Sequence, residues 1–124
     1  MIDHTGVTVS NLAASKAFYR AALAPLGYAI LKEFGPAAGF GIAPSHDFWI
    51  GQGVPNVPPI HVAFRAKSRA QVDAFYRAAL AASGRDNRAP GLRPQYHANY
   101  YGAFVLDPDG HNIEAVYHGA DVAA

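Results

Sequence analysis

The hexapeptide Phe-Tyr-Arg-Ala-Ala-Leu occurs at residues 18–23 and again, without any change, at residues 75–80. The second occurrence lies 57 positions after the first, and the same shift carries His4 onto His61. Two amphipathic helices can become alike locally, but this many identities in one register favour a true repeat. The sequence therefore predicts an internal duplication.

Each copy shows the same order of predicted elements. An opening strand, 2–9 or 60–66, precedes a helix with apolar residues at helical spacing, and Gly27 or Gly84 then permits a left-handed helix stop. The chain is thus predicted to be one α+β domain, 1–124, made of two βαβββ modules at about 1–54 and about 58–119. Short apolar runs broken by Gly and Pro predict the remaining strands near 28–33, 38–43, 47–51, 100–106 and 112–118, with one poorly defined strand between 85 and 99.

The closing parts of the two copies match at a different shift. Phe40 corresponds to Phe104, and Trp49 falls on Glu114, which lies 65 positions later. About eight additional residues therefore lie between the second helix and Phe104. Inserted loops often carry substrate contacts, so residues 90–101 are predicted to determine specificity.

The composition narrows the range of functions. The 124 residues match the size of one domain, and 51% hydrophobic with 15% charged residues allow a buried core. A net charge of +1 without a basic stripe argues against nucleic acid as a partner. No apolar run reaches the roughly 20 residues that span a bilayer, and the N-terminus lacks a signal-peptide pattern, so a cytoplasmic protein without a membrane partner is expected. Cysteine is absent, so nitrogen and oxygen ligands would hold any metal.

His4, His61 and Glu114 suggest a divalent-metal site. The two histidines occupy equivalent positions on the opening strands, so a pseudo-twofold pairing of the modules would bring them face to face. Glu114 lies on the last predicted strand, where a carboxylate among apolar residues needs a partner because an unpaired buried charge is costly. A lone strand histidine is more often a plain core or surface residue, but the symmetry of this pair favours ligands.

The chain resembles the vicinal oxygen chelate superfamily, which comprises glyoxalases, bleomycin-resistance proteins and extradiol dioxygenases. The resemblance covers essentially the whole chain and rests on three motifs, at residues 4–12 with the helix at 18–23, at 61–64 and at 107–114. It implies an open, cup-shaped mixed β-sheet with the helices outside and one metal inside. It also implies that His4, His61 and Glu114 are ligands. The resemblance implies that glyoxalases bind their metal through four ligands. This sequence departs from that pattern, because Trp49 stands at the fourth position and its side chain cannot bind a metal.

The remaining ligand set resembles that of iron or manganese ring-cleaving dioxygenases and is also compatible with zinc or nickel. The resemblance implies a small substrate that chelates the cation through two neighbouring oxygens. His97 or Tyr101 is a candidate for proton transfer, and Glu114 for a catalytic role. The predicted pocket wall consists of Trp49, Arg65, Tyr96 and Tyr100, although loop aromatics usually pack on their neighbours. The other histidines are interpreted as solvated turn or terminal residues, with His118 kept as a further ligand candidate: His46, His111 and His118.

Three functions remain open on the sequence. The first is a metal-dependent lyase, isomerase or dioxygenase acting on a small oxygenated molecule. The second is a metal-free protein of the bleomycin-resistance type that binds a drug or metabolite, and the third is a scaffold whose histidines are only structural. The resemblance also implies a homodimer, in which the modules pair either within one chain or by exchange between two chains. In the exchanged arrangement, His4 and Glu114 of one chain would belong to different sites.

Overall fold

A computed structural model describes residues 1–119, so the last five residues of the expected 1–124 domain lie outside the described part. It confirms the predicted fold, and the poorly defined strand is β6, at the start of the expected range. No helix of the described residues is long and apolar enough to cross a membrane. The cytoplasmic location stays a prediction.

The elements are β1 (Thr5–Val9), α1 (Leu12–Leu23), a 3₁₀ turn (Ala24–Leu26), β2 (Ala29–Phe34), β3 (Ala37–Ile42), β4 (Ser45–Gln52), β5 (His61–Arg65), α2 (Arg69–Ala81), β6 (Arg85–Leu92), β7 (Tyr101–Leu106) and β8 (Asn112–Tyr117).

The strands form two four-stranded mixed sheets, with the order β1-β4-β3-β2 in the first and β5-β8-β7-β6 in the second. In each sheet the opening strand pairs in parallel with the closing strand. Gly6 pairs with Trp49 in the first sheet, and Ala63 pairs with Glu114 in the second. Since Gly6 and Ala63 are 57 positions apart, the pairing confirms that Trp49 and Glu114 occupy equivalent places.

The predicted match of Phe40 with Phe104 is wrong by one residue. Trp49 pairs with Gly39, whereas Glu114 pairs with Phe104, so Gly39 is the structural equivalent of Phe104. Successive strand residues point to opposite faces of a sheet. Phe40 is therefore buried in the core, and Phe104 lies on the same face as Glu114.

Side-chain caps begin both helices. Asn11 accepts a hydrogen bond from the Ala14 amide at the start of α1, and Ser68 accepts one from the Gln71 amide at the start of α2. Gly27 has a φ of 90° after the first helix, as predicted.

The prediction for Gly84 is wrong, because the left-handed residue after α2 is Ser83, with a φ of 77°. Gly84 instead allows close packing between the modules. A Cβ atom at Gly84 would lie 2.6 Å from the Phe18 ring and 2.7 Å from the Ala79 carbonyl oxygen. The glycine is therefore required by space and not by backbone conformation.

The hydrophobic core lies between the two sheets. Helix α1 packs against β2 and β4, helix α2 packs against β6, β7 and β8, and the two helices contact each other. The Phe48 and Phe64 rings, one from each sheet, pack edge to face at 5.0 Å. We call the sheet faces that contact this core the closed faces and the opposite faces the open faces. The open faces include Gly6, Thr8, Gly39, Trp49 and Gly51 in the first sheet and His61, Ala63, Arg65, Gly102, Phe104, Glu114 and Val116 in the second.

A polar seam, formed by the turn at 107–111, joins the second module to the first. The buried Asp107 carboxylate accepts hydrogen bonds from the Tyr19 hydroxyl at 2.5 Å and from the backbone amides of Asp109 and His111. Ser10 donates to Asp109 from both its amide and its hydroxyl. Burial and the nearby Asp107 carboxylate raise the pKa of Tyr19, so its phenol stays protonated and remains a donor.

His111 is part of this seam, and its interpretation as a solvated turn residue is wrong. The side chain is fully buried. Its Nδ1 accepts a hydrogen bond from the Ile60 amide, so its Nε2 carries a proton and donates to the Thr8 carbonyl oxygen at 3.1 Å. The imidazole is buried because it connects β1 to the segment before β5.

The duplication provides a matched test of the seam. We expect Tyr19→Phe to lower the free energy of unfolding by about 1–3 kcal/mol, because it leaves the buried Asp107 carboxylate without one donor. Tyr76 is the equivalent residue of the second helix, and it donates to the exposed Asp86. Tyr76→Phe should therefore change stability little. Urea unfolding of both variants measures the difference, and equal losses would contradict a role for the seam.

Candidate functional site

A cluster around Glu114 lies on the open face of the second sheet. The Glu114 side chain is only 1% exposed, although it stands on the face that the helices do not cover. His61 Nε2 lies 2.8 Å from Glu114 Oε1, and the Tyr100 hydroxyl donates a hydrogen bond to Oε2. Both carboxylate oxygens are thus satisfied, which offsets the cost of burying the charge.

Tyr100 comes from the segment that distinguishes the second module. The strands β2 and β3 are separated by two residues, whereas β6 is two residues longer than β2 and is separated from β7 by the eight-residue loop 93–100. The additional residues predicted from the sequence therefore extend a strand and a loop. Burial, the hydrogen bond to Glu114 and the negative charge of the Glu114 carboxylate raise the pKa of Tyr100, so the phenol stays a donor.

Other aromatic side chains of the loop surround Tyr100. The Tyr96 ring packs edge to face on Tyr100 at 4.8 Å, and the His97 ring packs at 5.4 Å. His97 Nε2 also lies 2.9 Å from His118 Nδ1. Burial, Arg65 and His97 lower the pKa of His118 below its ordinary 6.5. The structure thus brings Tyr96, His97 and Tyr100 together near Glu114, and adds His118 as the partner of His97.

His4 does not join this cluster within one chain. Its side chain is 60% exposed, and its Nδ1 lies 2.7 Å from Asp3 Oδ1. Within residues 1–119, no three His, Asp or Glu side chains are grouped to hold one metal ion. One chain therefore supplies two of the three predicted ligands at one place, His61 and Glu114.

Trp49 lies on the open face of the first sheet, at the place equivalent to Glu114. Its ring lies over Gly39, where a Cβ atom would come within 2.9 Å of Trp49 Cζ2. His46 packs edge to face against the same ring at 5.0 Å. The half-buried His46 is thus a neighbour of Trp49 and not a fully solvated turn residue.

Tyr101 lies on the other face of its strand, so the candidate role in proton transfer at Glu114 is wrong for this residue. Its hydroxyl donates to Asp73 of α2 at 2.7 Å, and the Arg69 guanidinium lies 5.0 Å from the ring. The reason is strand alternation, which places Gly102 and Phe104 on the open face and Tyr101 and Ala103 on the closed face.

Two functional candidates escaped the sequence analysis. Phe104 packs 6.1 Å from the His61 ring, and the Arg93 guanidinium lies 5.7 Å from the centroid of the Phe104 ring. Phe104 of β7 pairs with Glu114 of β8 and therefore shares its face. The sequence repeat would have indicated this if Phe104 had been aligned with Gly39 and not with Phe40. No sequence signal marks Arg93, because the loop conformation alone places it there.

A groove of about 480 Å³ runs beside the edge strand β5. Its lining includes His61, Arg65, Asp3 and Asp47. The Tyr28 hydroxyl donates to both Asp47 oxygens, at 2.8 and 2.9 Å. The site thus combines an imidazole, a buried carboxylate, phenols and an adjoining open groove, a set of groups suited to cation binding and proton transfer.

The fold and this site define a duplicated βαβββ protein with a His–carboxylate centre. The sequence profile of the Glyoxalase/Bleomycin resistance protein/Dioxygenase superfamily matches residues 1–115, and the chain belongs to that superfamily. Among curated proteins, no significant match was found.

Solved structures agree with this assignment. The chain is similar to a glyoxalase/bleomycin resistance protein from Albidiferax ferrireducens T118, with 31% identity over 94% of this chain and 98% of the other and a TM-score of 0.82. A glyoxalase-related enzyme from Fulvimarina pelagi is 19% identical over 98% and 94% of the two chains, with a TM-score of 0.73. A lactoylglutathione lyase from Agrobacterium tumefaciens is 22% identical over 94% and 92%, with a TM-score of 0.69. The last two likenesses concern the fold alone.

The environment of His118 yields a prediction for NMR titration. We expect its pKa to lie below 6.5, and Arg65→Gln should raise it, because burial and the cationic Arg65 disfavour the imidazolium. Since folding lowers this pKa, the contribution of His118 to stability should fall as the pH drops below 6.5. Arg77→Gln, on the exposed side of α2, is the control and should leave the titration unchanged. An unchanged pKa in Arg65→Gln would contradict the proposed proximity.

Proposed function

We propose that this chain is a metal-dependent enzyme of the glyoxalase/dioxygenase type, a lyase, isomerase or dioxygenase that acts on a small substrate with two neighbouring oxygens. The observation that carries the proposal is the 2.8 Å approach of His61 Nε2 to Glu114 Oε1. Two ligands that lie about 2.1 Å from one cation and subtend about 90° are about 3 Å apart, so these two atoms fit neighbouring ligand positions. Zinc, nickel, iron and manganese all suit nitrogen and oxygen ligands.

His4 of a second copy would complete the ligand set in a homodimer. β1 and β5 are edge strands of their sheets, and they occupy equivalent places in the two modules. An exposed edge strand has unpaired backbone groups that favour another strand beside it. If β1 of a second copy lies beside β5, the two open faces form one cup, and the pseudo-twofold relation places the second His4 opposite His61. Trp49 of the second copy then forms the facing wall.

Each side chain has a role in this proposal. A bound divalent metal would polarise the two substrate oxygens and stabilise the negative charge that develops on them. Tyr100 holds Glu114 in one orientation through Oε2, and Oε1, which faces His61, would be the coordinating oxygen. The His97–His118 pair, beside Tyr100, accepts or returns a substrate proton. Tyr96 and Trp49 exclude water from the substrate.

A second candidate function is metal-free binding of a small molecule, as in bleomycin-resistance proteins. The observation that favours it is the complete hydrogen bonding of Glu114 by His61 and Tyr100, which satisfies the carboxylate without a cation. In that case the open face of the second sheet would bind its ligand through hydrogen bonds and aromatic contacts.

Metal analysis after loading and desalting separates the two functions. We expect His4→Ala, His61→Ala and Glu114→Gln each to remove bound metal, because every ligand lost weakens the site strongly. His46→Ala removes an imidazole outside the ligand set and should retain the metal. Metal content that is low and indifferent to His61→Ala and Glu114→Gln would contradict the enzyme proposal and favour metal-free binding.

Mixed dimers test whether two chains share the site. A dimer isolated through two different tags would combine one His4→Ala chain with one Glu114→Gln chain. If each site uses His4 of one copy and Glu114 of the other, one of its two sites is intact and binds one metal, although neither parent variant binds any. A site built within one chain leaves no intact site in the mixed dimer. A mixed dimer without metal would therefore contradict the shared site.

A further inference from the structure

Three arginines lie on the open face of the second sheet, the face that carries Glu114. Arg65 ends β5 and pairs with Val116, two residues beyond Glu114 on the same face. Arg88 of β6 pairs with Phe104, which itself pairs with Glu114. Arg93, directly after β6, holds its guanidinium 5.7 Å from the centroid of the Phe104 ring.

These arginines have no carboxylate partner within the described residues. The ion pairs there join His4 to Asp3, Lys16 to Glu33 and His61 to Glu114. Glu114 is the only acidic residue of β5, β7 and β8, and Asp86 of β6 accepts the Tyr76 hydroxyl. On this face of the second sheet positive charge thus exceeds negative charge, although Asp3 and Asp47 line the same groove as Arg65.

Arg93 is held in place without being neutralised. Its guanidinium donates to the carbonyl oxygens of Ala89 at 2.6 Å and Leu92 at 3.3 Å, and its buried Nε has no partner. An Arg fixed by backbone carbonyls keeps its full charge and loses little further side-chain freedom when it binds an anion. Arg65 is exposed at the groove beside β5 and remains free to approach a ligand there.

We propose that the ligand of this site carries an oxyanion group, a carboxylate or a phosphate, that binds Arg65 and Arg93, together with an aromatic body that packs on the exposed Tyr96 ring. This inference rests on the proposed function, because that function places the ligand beside His61 and Glu114. The guanidinium matches both oxyanions, because its planar donors bond two oxygens at once. The exposed Tyr96 ring supplies a flat apolar surface of the kind that small-molecule sites commonly use.

Two probes that differ by one carboxylate test the inference. Catechol has two neighbouring oxygens and no charge, and 3,4-dihydroxybenzoate adds the carboxylate. On the metal-loaded dimer we expect 3,4-dihydroxybenzoate to bind about tenfold to a hundredfold more tightly by calorimetry, as a charge-assisted bond to Arg predicts. Competition with benzoate and with phenyl phosphate then shows which oxyanion the arginines prefer.

Variants assign the preference to particular arginines. Arg65→Gln and Arg93→Gln should each reduce the advantage of the carboxylate several-fold, and the double variant should abolish it while catechol binding is retained. Arg93→Lys keeps the charge and should lose less than Arg93→Gln, which separates charge from loop structure. Arg77→Gln, on the exposed side of α2, makes the same charge change and should leave both affinities as they are.

Several results would overturn the inference. Equal binding of the two probes to the wild-type protein is one, and equal loss of both probes in the variants is another, because it indicates a structural role. Dissociation of the dimer in the arginine variants with an unchanged carboxylate preference would show that the arginines pair with acidic residues of the second copy.

Failure of the proposed function looks different. Benzoate cannot chelate a cation through neighbouring oxygens, so its affinity for metal-free protein reports on the arginines alone. If the protein binds no metal but benzoate binding still depends on Arg65 and Arg93, the metal-dependent enzyme is wrong and the anion site stands. If metal binds through His61 and Glu114 but neither probe depends on the arginines, the anion site is wrong and the metal site stands.

Discussion

The buried carboxylate of Asp107 fixes the relation between the two modules. It can be buried only because Tyr19 of the first module and two amides of its own turn donate to it, since an unpaired buried charge would cost several kcal/mol. His111 of the same turn bonds the Thr8 carbonyl oxygen. The modules are thereby joined through their helices and closed faces, which leaves the outer edges of β1 and β5 without a neighbouring strand in the described chain. The arrangement of the seam is therefore what makes a site between two copies geometrically reasonable.

The sequence predicted the parts of the fold that depend on periodicity. The repeat shift and the alternation of the strands follow from local residue patterns, and they suffice to place His61, Glu114 and Trp49 on open faces. They did not suffice for Tyr101, the candidate for proton transfer, because strand alternation at the start of β7 turns its side chain to the closed face, where its hydroxyl donates to Asp73.

Other features depend on contacts between distant residues, which no local pattern encodes. His111 looks like a turn residue in a polar sequence, and only the approach of β1 buries it. Gly84 looks like a helix stop, and only the Phe18 ring of the other module explains it. Arg93 is marked by nothing in the sequence and takes its place through two carbonyl oxygens of its own loop. The separation of His4 from Glu114 likewise follows from the packing of the helices, not from either strand.

The two modules differ at the site by a paired exchange. In the first, Trp49 stands opposite Gly39, and in the second, Glu114 stands opposite Phe104, so each strand pair combines one large ring with a smaller neighbour. The exchange is coupled by sterics, because a side chain at Gly39 would collide with the indole ring. It also decides the chemistry, since the ring in the second module lies beside the carboxylate and leaves it accessible to His61. In a cup built from both modules, one wall would be an apolar indole and the other a charged centre. A planar ligand with one polar edge matches that division, and a ligand that is polar all round does not.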